Sequence, residues 1–86
     1  MAATDYDYGQ AMKQADIIDQ IAAELFTLAD SEVDSAMDSI NRYWQGDAAR
    51  AFIGNCAATQ DDLRQRAQSL RDASQRLRDL AKTILR

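Results

Sequence analysis

The regular spacing of apolar residues on both sides of one central break constrains this chain more than any other feature. Among its 86 residues there is no proline, and apolar side chains recur at steps of three and four from Ala11 to Tyr43 and from Ala49 to Ile84. Such steps place side chains along one face of an α-helix, which turns once in about 3.6 residues. The sequence therefore predicts an all-α protein built from two long helices.

The break between the helices lies in the segment RYWQGDAARAF, residues 42–52. Gly46 can adopt a backbone angle that other residues avoid, and Asp47 is a suitable N-cap for the second helix. We therefore expect an antiparallel helical hairpin. The expected segments are a flexible N-terminus at 1–7 and one hairpin domain at 8–86, with a first helix at about 8–43, a turn at about 44–47 and a second helix at about 48–85.

Each helix contains one irregular place in its apolar spacing, where two steps of four follow each other. The first lies around Ala29, four residues after Leu25 and four before Val33. The second lies around Leu63, four residues after Thr59 and four before Ala67. An irregularity of this kind locally unwinds the supercoil of packed helices. Because Ala29 and Leu63 each lie 17 residues from Gly46, we expect the two irregular places to lie side by side.

The apolar side chains of the first helix spread too widely for a single neighbouring helix to cover them. They occupy an arc of roughly 200°, whereas roughly 100° suffices for one packing face. Incidental exposure of apolar side chains is common, but a second hairpin that completes a four-helix bundle explains the arc better. The residues expected at this partner interface are Ile17, Ile21, Leu25, Leu28, Met37, Trp44, Phe52, Leu63, Leu70 and Leu77.

Charge is divided unequally between the two halves of the chain. Residues 1–44 contain nine acidic and two basic residues, and residues 45–86 contain five acidic and eight basic residues. The net charge of −4 disfavours a nucleic-acid partner. Arg64, Arg71 and Arg78 recur every seven residues beside the second apolar stripe. Arginines at such positions either select an acidic partner or pair with acids of the first helix on a solvated face.

The sequence does not predict catalysis, a cofactor or a metal site. It contains no histidine and a single cysteine, Cys56, and it shows neither a nucleophile beside a base nor a glycine-rich phosphate loop. We expect Cys56 to be a small buried side chain. No apolar run has the length needed for membrane insertion, and the common type of N-terminal export signal is missing, so the common routes predict a cytosolic protein.

The segment WQGDAARAF, residues 44–52, resembles the signature of the WXG family, the ESAT-like helical hairpins of type VII (ESX) secretion. That signature has Trp-x-Gly in the turn, followed by small residues and an aromatic residue on the first turns of the second helix. The matching residues are Trp44, Gly46, Ala48, Ala49 and Phe52. The resemblance implies a hairpin that pairs with itself or with a related protein into a four-helix bundle. It also implies export of the folded pair by a membrane ATPase, without a cleaved signal peptide.

The resemblance leaves open where the export signal lies. Many members, or their partners, have Tyr-x-x-x-Asp/Glu after the second helix, and no tyrosine follows Tyr43 in this sequence. The partner would then supply the signal, or Trp44 would complete it together with the partner; alternatively, Trp44 only closes the end of the hairpin. Small members of this kind resemble dedicated partners of larger effectors, such as toxins with an LXG-type helical N-terminal domain.

These implications favour a type VII secretion protein that dimerises and acts as a targeting partner of a co-secreted effector. It would be cytoplasmic before export and secreted or attached to the cell surface afterwards. Two other functions remain open at this point. The chain could be a secreted homodimer that acts as an effector or adaptor, or a cytosolic structural coiled coil that is unrelated to secretion.

Overall fold

The computed structural model describes residues 5–84, which form an antiparallel helical hairpin. The first arm consists of three consecutive helical segments, and the second arm is a single helix. This all-α architecture confirms the fold predicted from the apolar spacing. The segments are α1 at Asp5–Thr27, a π-helical turn at Leu28–Val33, α2 at Asp34–Tyr43 and α3 at Asp47–Ile84.

The first arm begins earlier than the sequence analysis predicts. Helix α1 starts at Asp5 and not near residue 8. Asp5 and Asp7 lie in its first turn, where carboxylates interact favourably with the positive end of the helix dipole. The rest of the expected flexible N-terminus, residues 1–4, lies outside the described residues, as do residues 85 and 86.

The hairpin is a rod that is only two helices wide. Its principal extents are 64 × 14 × 13 Å and its radius of gyration is 19.1 Å. A compact domain of this length would have a radius of gyration of about 12 Å. Each arm therefore has only one helical neighbour, and most of its circumference faces outward.

The two arms pack against each other through small side chains. The largest side chain that is fully buried among the described residues is that of Ser74. We call the line of contact between the two arms the seam. A fully buried leucine or isoleucine would stabilise the fold by about 1.5–3 kcal/mol, and the seam contains none among the described residues. The buried residues are Ala15, Ala22 and Ala29 in the first arm and Ala49, Gln60, Ala67, Ser74 and Ala81 in α3.

The irregular spacing around Ala29 coincides with the π-helical turn. A π turn contains one residue more than an α-helical turn. Unbroken heptad spacing from Ala29 would place the next seam residues at positions 32, 36 and 39. The half-buried residues after the π turn are instead Val33, Met37 and Ile40, each one position later. The extra residue thus keeps large apolar side chains directed towards α3.

The corresponding irregularity expected in the second helix does not exist, and the prediction of two adjacent irregular places is wrong. Thr59 is exposed, whereas Gln60 is 8% exposed and lies in the seam. A polar side chain can be buried there because its amide is satisfied. Gln60 Nε2 donates to the carbonyl oxygen of Ala29 at 2.8 Å and to Oδ1 of Asp34 at 2.7 Å. With Gln60 in place, the steps of three and four along α3 are unbroken.

The turn between the arms depends on Gly46, whose φ angle of +91° lies in the region that favours glycine. Trp44 ends α2 in an extended conformation, with φ −114° and ψ 146°. The carbonyl oxygen of Gly46 accepts the amide hydrogen of Arg50 at 3.2 Å, so Gly46 has the N-cap position. Asp47, which we expected to be the N-cap, is instead the first residue of α3, and its carboxylate accepts a hydrogen bond from Arg50.

The substitution Gly46→Ala should destabilise the hairpin by about 1–2 kcal/mol, because alanine strongly disfavours a positive φ. No heavy atom lies within 4 Å of the place where a Cβ would stand, so the loss would come from the backbone angle alone. Gly54→Ala is the matched control, since Gly54 lies in α3 with similarly open space, and helix propensity should make this variant slightly more stable. Urea unfolding followed by circular dichroism measures both. Equal effects of the two substitutions would contradict the prediction.

Candidate partner-binding face

Ion pairs between the two arms follow one side of the hairpin. Near the open end, Arg78 binds Asp16 at 2.7 Å and Asp19 at 2.8 Å. Nearer the turn, Arg64 binds Asp30 at 2.7 Å. An exposed salt bridge such as that of Arg64 contributes little stability, about 0–1 kcal/mol. The position of these ion pairs nevertheless shows which side of the rod is polar.

Arg71 lies between these two arginines along α3. Its guanidinium carbon is 4.7 Å from the ring centroid of Phe26, a cation–π contact that also covers the ring. Arg64 and Arg78 therefore pair with acids of the first arm, which is the second of the two roles that their spacing allows, whereas Arg71 contacts the ring of Phe26. We call the side of the hairpin that these three arginines occupy the charged face.

Ser74 joins the charged face to the seam. Its hydroxyl donates a hydrogen bond to the carboxylate of Asp19, which Arg78 also contacts. The hydrogen bond from Ser74, followed by that from Arg78, lowers the pKa of the Asp19 carboxyl below its usual range. Ionised Asp19 thus links α1 to α3 through two hydrogen-bond donors.

The stability of the hairpin should fall in acid, and Asp19 should account for part of the loss. Its pKa is lower in the folded chain than the value of about 3.9 expected in the unfolded chain. The stabilisation is therefore present above about pH 4 and is lost as the pH falls through the folded-state pKa. Asp19→Asn should reduce the dependence of the free energy of unfolding on pH in this acidic range and should lower the free energy of unfolding at pH 7.

Urea midpoints between pH 2.5 and pH 7 test the role of Asp19. Asp72→Asn is the matched control, because Asp72 is exposed and accepts a hydrogen bond only from Gln68 on its own helix among the described contacts. If both variants keep the wild-type pH profile, Asp19 does not couple acid to unfolding.

The opposite side of the hairpin contains several large apolar side chains alongside polar ones such as Glu32 and Arg66. A groove of about 390 Å³ lies between the first arm, at Leu28 and Val33, and α3, at Phe52 and Cys56. Cys56 is a free, half-buried thiol in this groove, so it is less buried than the sequence analysis predicts. In a larger helical protein, apolar residues in such a position would be covered by a further helix and would form part of the core. In this hairpin they line an open groove.

A second groove on the same side is lined by Leu25 and Leu70 together with the polar residues Asp62, Gln65, Arg66 and Ser69. Residues seven apart share a helical face, so Ile18 and Ile21 line up with the leucines of the first arm. We call this surface the apolar face. It consists of Ile18, Ile21, Leu25 and Leu28 of the first arm and Phe52, Cys56, Leu63, Leu70, Leu77 and Leu80 of α3.

Several of the largest side chains of the apolar face are solvent-exposed. The exposed fractions of Ile21, Leu28, Phe52 and Leu80 range from 36% to 55%. Large apolar side chains that remain exposed along one side of a helix pair are typical of a protein-binding site.

Seven of the ten residues that the sequence analysis assigns to a partner interface lie on the apolar face. Of the other three, Ile17 lies beside it, Met37 is half-buried in the seam and Trp44 is at the turn. The sequence analysis missed Ile18, Cys56 and Leu80. The heptad spacing of Ile18 from Leu25, of Cys56 from Leu63 and of Leu80 from Phe52 was a usable signal.

The turn presents two aromatic side chains beyond the end of the seam. Trp44 is 54% exposed, and its ring centroid lies 5.9 Å from that of Phe52 with the planes tilted by 50°. Tyr43 is also exposed. Trp44 thus closes the end of the hairpin only in part, and about half of its surface remains accessible.

Residues 5–84 contain no cluster of histidine, cysteine, aspartate and glutamate that is suited to a metal ion. No helix within that range combines the length and the apolar content of a membrane span.

Comparison with protein-family models, with curated proteins and with solved structures finds no match to this chain. The resemblance to the WXG family therefore rests on residues 44–52 and on the helical hairpin that surrounds them.

Proposed function

We propose that this chain is a WXG-like partner protein of type VII secretion. It pairs through its apolar face with the helical domain of a larger effector and accompanies that effector to the export ATPase. The observation that supports this most directly is the separation of the seam from the large apolar residues. The arms pack through alanines, whereas side chains such as Ile21, Leu28 and Phe52 remain exposed.

The surface area of the hairpin supports a partner of similar length. The accessible surface is 6238 Å², whereas a compact monomer of 9.6 kDa exposes about 5,100 Å². The excess of about 1,100 Å² is close to the roughly 800 Å² that each side of a standard protein interface buries. A partner that covers the apolar face would bring the exposed area to an ordinary value and would add the large apolar contacts that the seam lacks.

The shape of the face defines the chemistry of the partner. The partner needs amphipathic helices with apolar residues at steps of three and four. To follow a rod of 64 Å, each helix needs about 40 residues at 1.5 Å per residue. The helical N-terminal domain of an LXG-type effector would satisfy both requirements.

The turn supports a link to export. Trp44 and Tyr43 remain exposed at the end of the rod, beyond the apolar face. A partner on the apolar face would leave much of this end accessible to a further protein. In the proposed function, this end contributes to recognition by the export ATPase.

Capture from native cells tests the pairing. The tagged chain should retain a larger protein with a helical N-terminal domain, identified by mass spectrometry. Leu28→Asp places an unpaired charge on the apolar face and should abolish this capture. Ser35→Asp, an exposed position outside that face, is the matched control and should preserve it. Equal capture by both variants, or the lack of any helical effector, would contradict the proposal.

The link to secretion has its own test. Deleting the export ATPase should retain both the chain and its effector inside the cell. A cytosolic coiled coil unrelated to secretion would instead show the same location with and without the ATPase.

A further inference from the structure

We infer that α2 exchanges between two registers against α3, and that the π turn is the place where the first arm takes up or releases the one residue by which the registers differ. The present register contains the π turn. In the second register the first arm is α-helical throughout, and each residue of α2 occupies the place that the following residue has now. The exchange belongs to the isolated chain and does not depend on the proposed function.

The sequence contains an apolar pattern for the second register as well. Ala15, Ala22, Ala29, Ala36 and Tyr43 follow each other at unbroken steps of seven. The first three are fully buried, and an α-helix without a π turn would continue their line through the other two. In the present register, however, Ala36 is exposed and Tyr43 is 80% exposed. The chain thus carries two patterns that are offset by one residue.

Helix α2 is held weakly in its present register. It contains no buried residue, and its inward side chains, such as Met37 and Ile40, are half-buried. Segments with few buried apolar contacts rearrange at low free energy. The amide of Gln60 donates hydrogen bonds to the carbonyl oxygen of Ala29 and to the carboxylate of Asp34. In the second register Asp34 moves on by one place and loses this contact, which makes the present register the more populated one.

A hollow beside the turn offers space for a side chain of the second register. It has a volume of about 270 Å³ and lies between α2, at Asn41, and α3, at Ala49 and Ile53. When α2 moves on by one place, Ile40 takes the position of Asn41. An apolar side chain then contacts Ala49 and Ile53, and this contact offsets part of the burial that Met37 loses.

The connection between the arms can take up the residue that the π turn releases. It now consists of three residues, 44–46, between the end of α2 and the start of α3. Trp44 already has an extended backbone, and no heavy atom lies within 4 Å of the place where a Cβ of Gly46 would stand. A connection that is longer by one residue stays within the roughly two to eight residues that commonly join packed helices.

The register determines which aromatic side chain lies next to Phe52. At present it is Trp44, with 5.9 Å between the ring centroids. In the second register Tyr43 takes this place, and Trp44 turns away by about 100°. The same change moves Glu32 into the place of Val33 in the groove beside Phe52. An apolar group bound in that groove therefore favours the present register, so the groove and the position of Trp44 are coupled.

Relaxation-dispersion NMR on the isolated wild-type chain measures the exchange. Backbone amides of α2 and of residues 44–46 should exchange on the microsecond-to-millisecond timescale with a minor state of about 1% or more. Amides near the open end, at Ala15 and Ser74, should not. A lack of exchange in α2, or exchange of equal size along the whole rod, would overturn the inference.

A matched pair of substitutions tests the direction of the exchange. In the second register Ser39 takes the half-buried place of Ile40, so Ser39→Ile should raise the population of the minor state roughly tenfold. Ser35 is exposed and would take the place of Ala36, which is exposed too. Ser35→Ile should therefore leave the population unchanged. Equal shifts in both variants, or no shift with Ser39→Ile, would contradict the two registers.

Deletion of Ser31 removes the residue that distinguishes the registers. The first arm can then be α-helical while Met37 and Trp44 keep their present places, so the exchange in α2 should disappear. Persistent exchange in the folded deletion variant would overturn the inference. Unfolding of this variant would overturn it as well, because the second register requires an α-helical turn at this place. None of these measurements involves an effector, so their outcome and that of effector capture are independent.

Discussion

An Ala22→Leu variant should lose the hairpin, although leucine is more apolar than alanine and equally suited to a helix. Ala22 is fully buried in the seam, and Ala67 of α3 is fully buried as well. The added side-chain atoms have no space between helices that pack this closely, and overpacking typically costs 1–3 kcal/mol. Separation of the arms would also stretch the hydrogen bond from Gln60 to Ala29. A seam in which every fully buried side chain is small has little stability to lose.

Ala23→Leu is the matched control for this substitution. It makes the same chemical change at the next position of the same helix, but Ala23 is exposed. Thermal unfolding followed by circular dichroism should show a wild-type midpoint for Ala23→Leu and loss of the cooperative transition for Ala22→Leu. Similar midpoints would mean that the arms are not held at the close distance that the seam requires.

Deletion of Ser31 should be tolerated, whereas deletion of Gln20 should abolish the hairpin. Ser31 lies in the π turn, which contains one residue more than an α-helical turn. Without Ser31 the turn can become α-helical, and Met37 and Trp44 keep their positions relative to α3. Gln20 lies in the regular part of α1. Its loss would rotate the preceding segment by about 100° and move Ala15 out of the seam.

The two deletions remove one exposed polar residue each, so they differ mainly in where the residue lies. Circular dichroism reports whether each variant is folded, and the ring contact between Trp44 and Phe52, at 5.9 Å between centroids, can be followed by NMR. The contact should persist after deletion of Ser31. If this variant loses both the ring contact and the helical signal, the fold requires the π turn, and Ser31 is not a dispensable extra residue. If deletion of Ser31 only weakens the hydrogen bond from Gln60 to Ala29, the free energy of unfolding should decrease by about 1 kcal/mol.

The hairpin could be predicted from the sequence because the relevant signals are local. Steps of three and four define helices on both sides of Gly46, and its positive φ angle, +91°, is accessible to few other residues. The irregular spacing around Ala29 is local too, and the π turn occurs at that place.

The exact seam could not be predicted, because it depends on contacts between residues distant in sequence. Steps of three and four allow Thr59 in the apolar stripe, and the sequence analysis places it there. Gln60 is buried in its place because Ala29 and Asp34 of the other arm accept its hydrogen bonds. The position of Phe26 depends on a distant residue in the same way, since Arg71 covers its ring.

The alanines were expected in the packing stripes of both helices, but their being more buried than the larger residues of the same stripes was not, for a different reason. Apolar spacing shows that Ala15, Ala22 and Ala29 share a side with larger residues, but it does not show which of them lies nearest the other helix. The seven-residue repeat of alanine is the only signal of close packing. For the same reason, the sequence does not reveal that the leucines and isoleucines are at most half-buried, while the alanines of the seam are fully or almost fully buried.

The charged face has a consequence for the size of any assembly that this protein forms. Arg64 and Arg78 already pair with acids of their own chain, so the charged face has little tendency to bind a third hairpin. Once a partner covers the apolar face, no further binding surface of that kind is left for another hairpin. Association should stop at a discrete particle of four helices and should not extend into fibres.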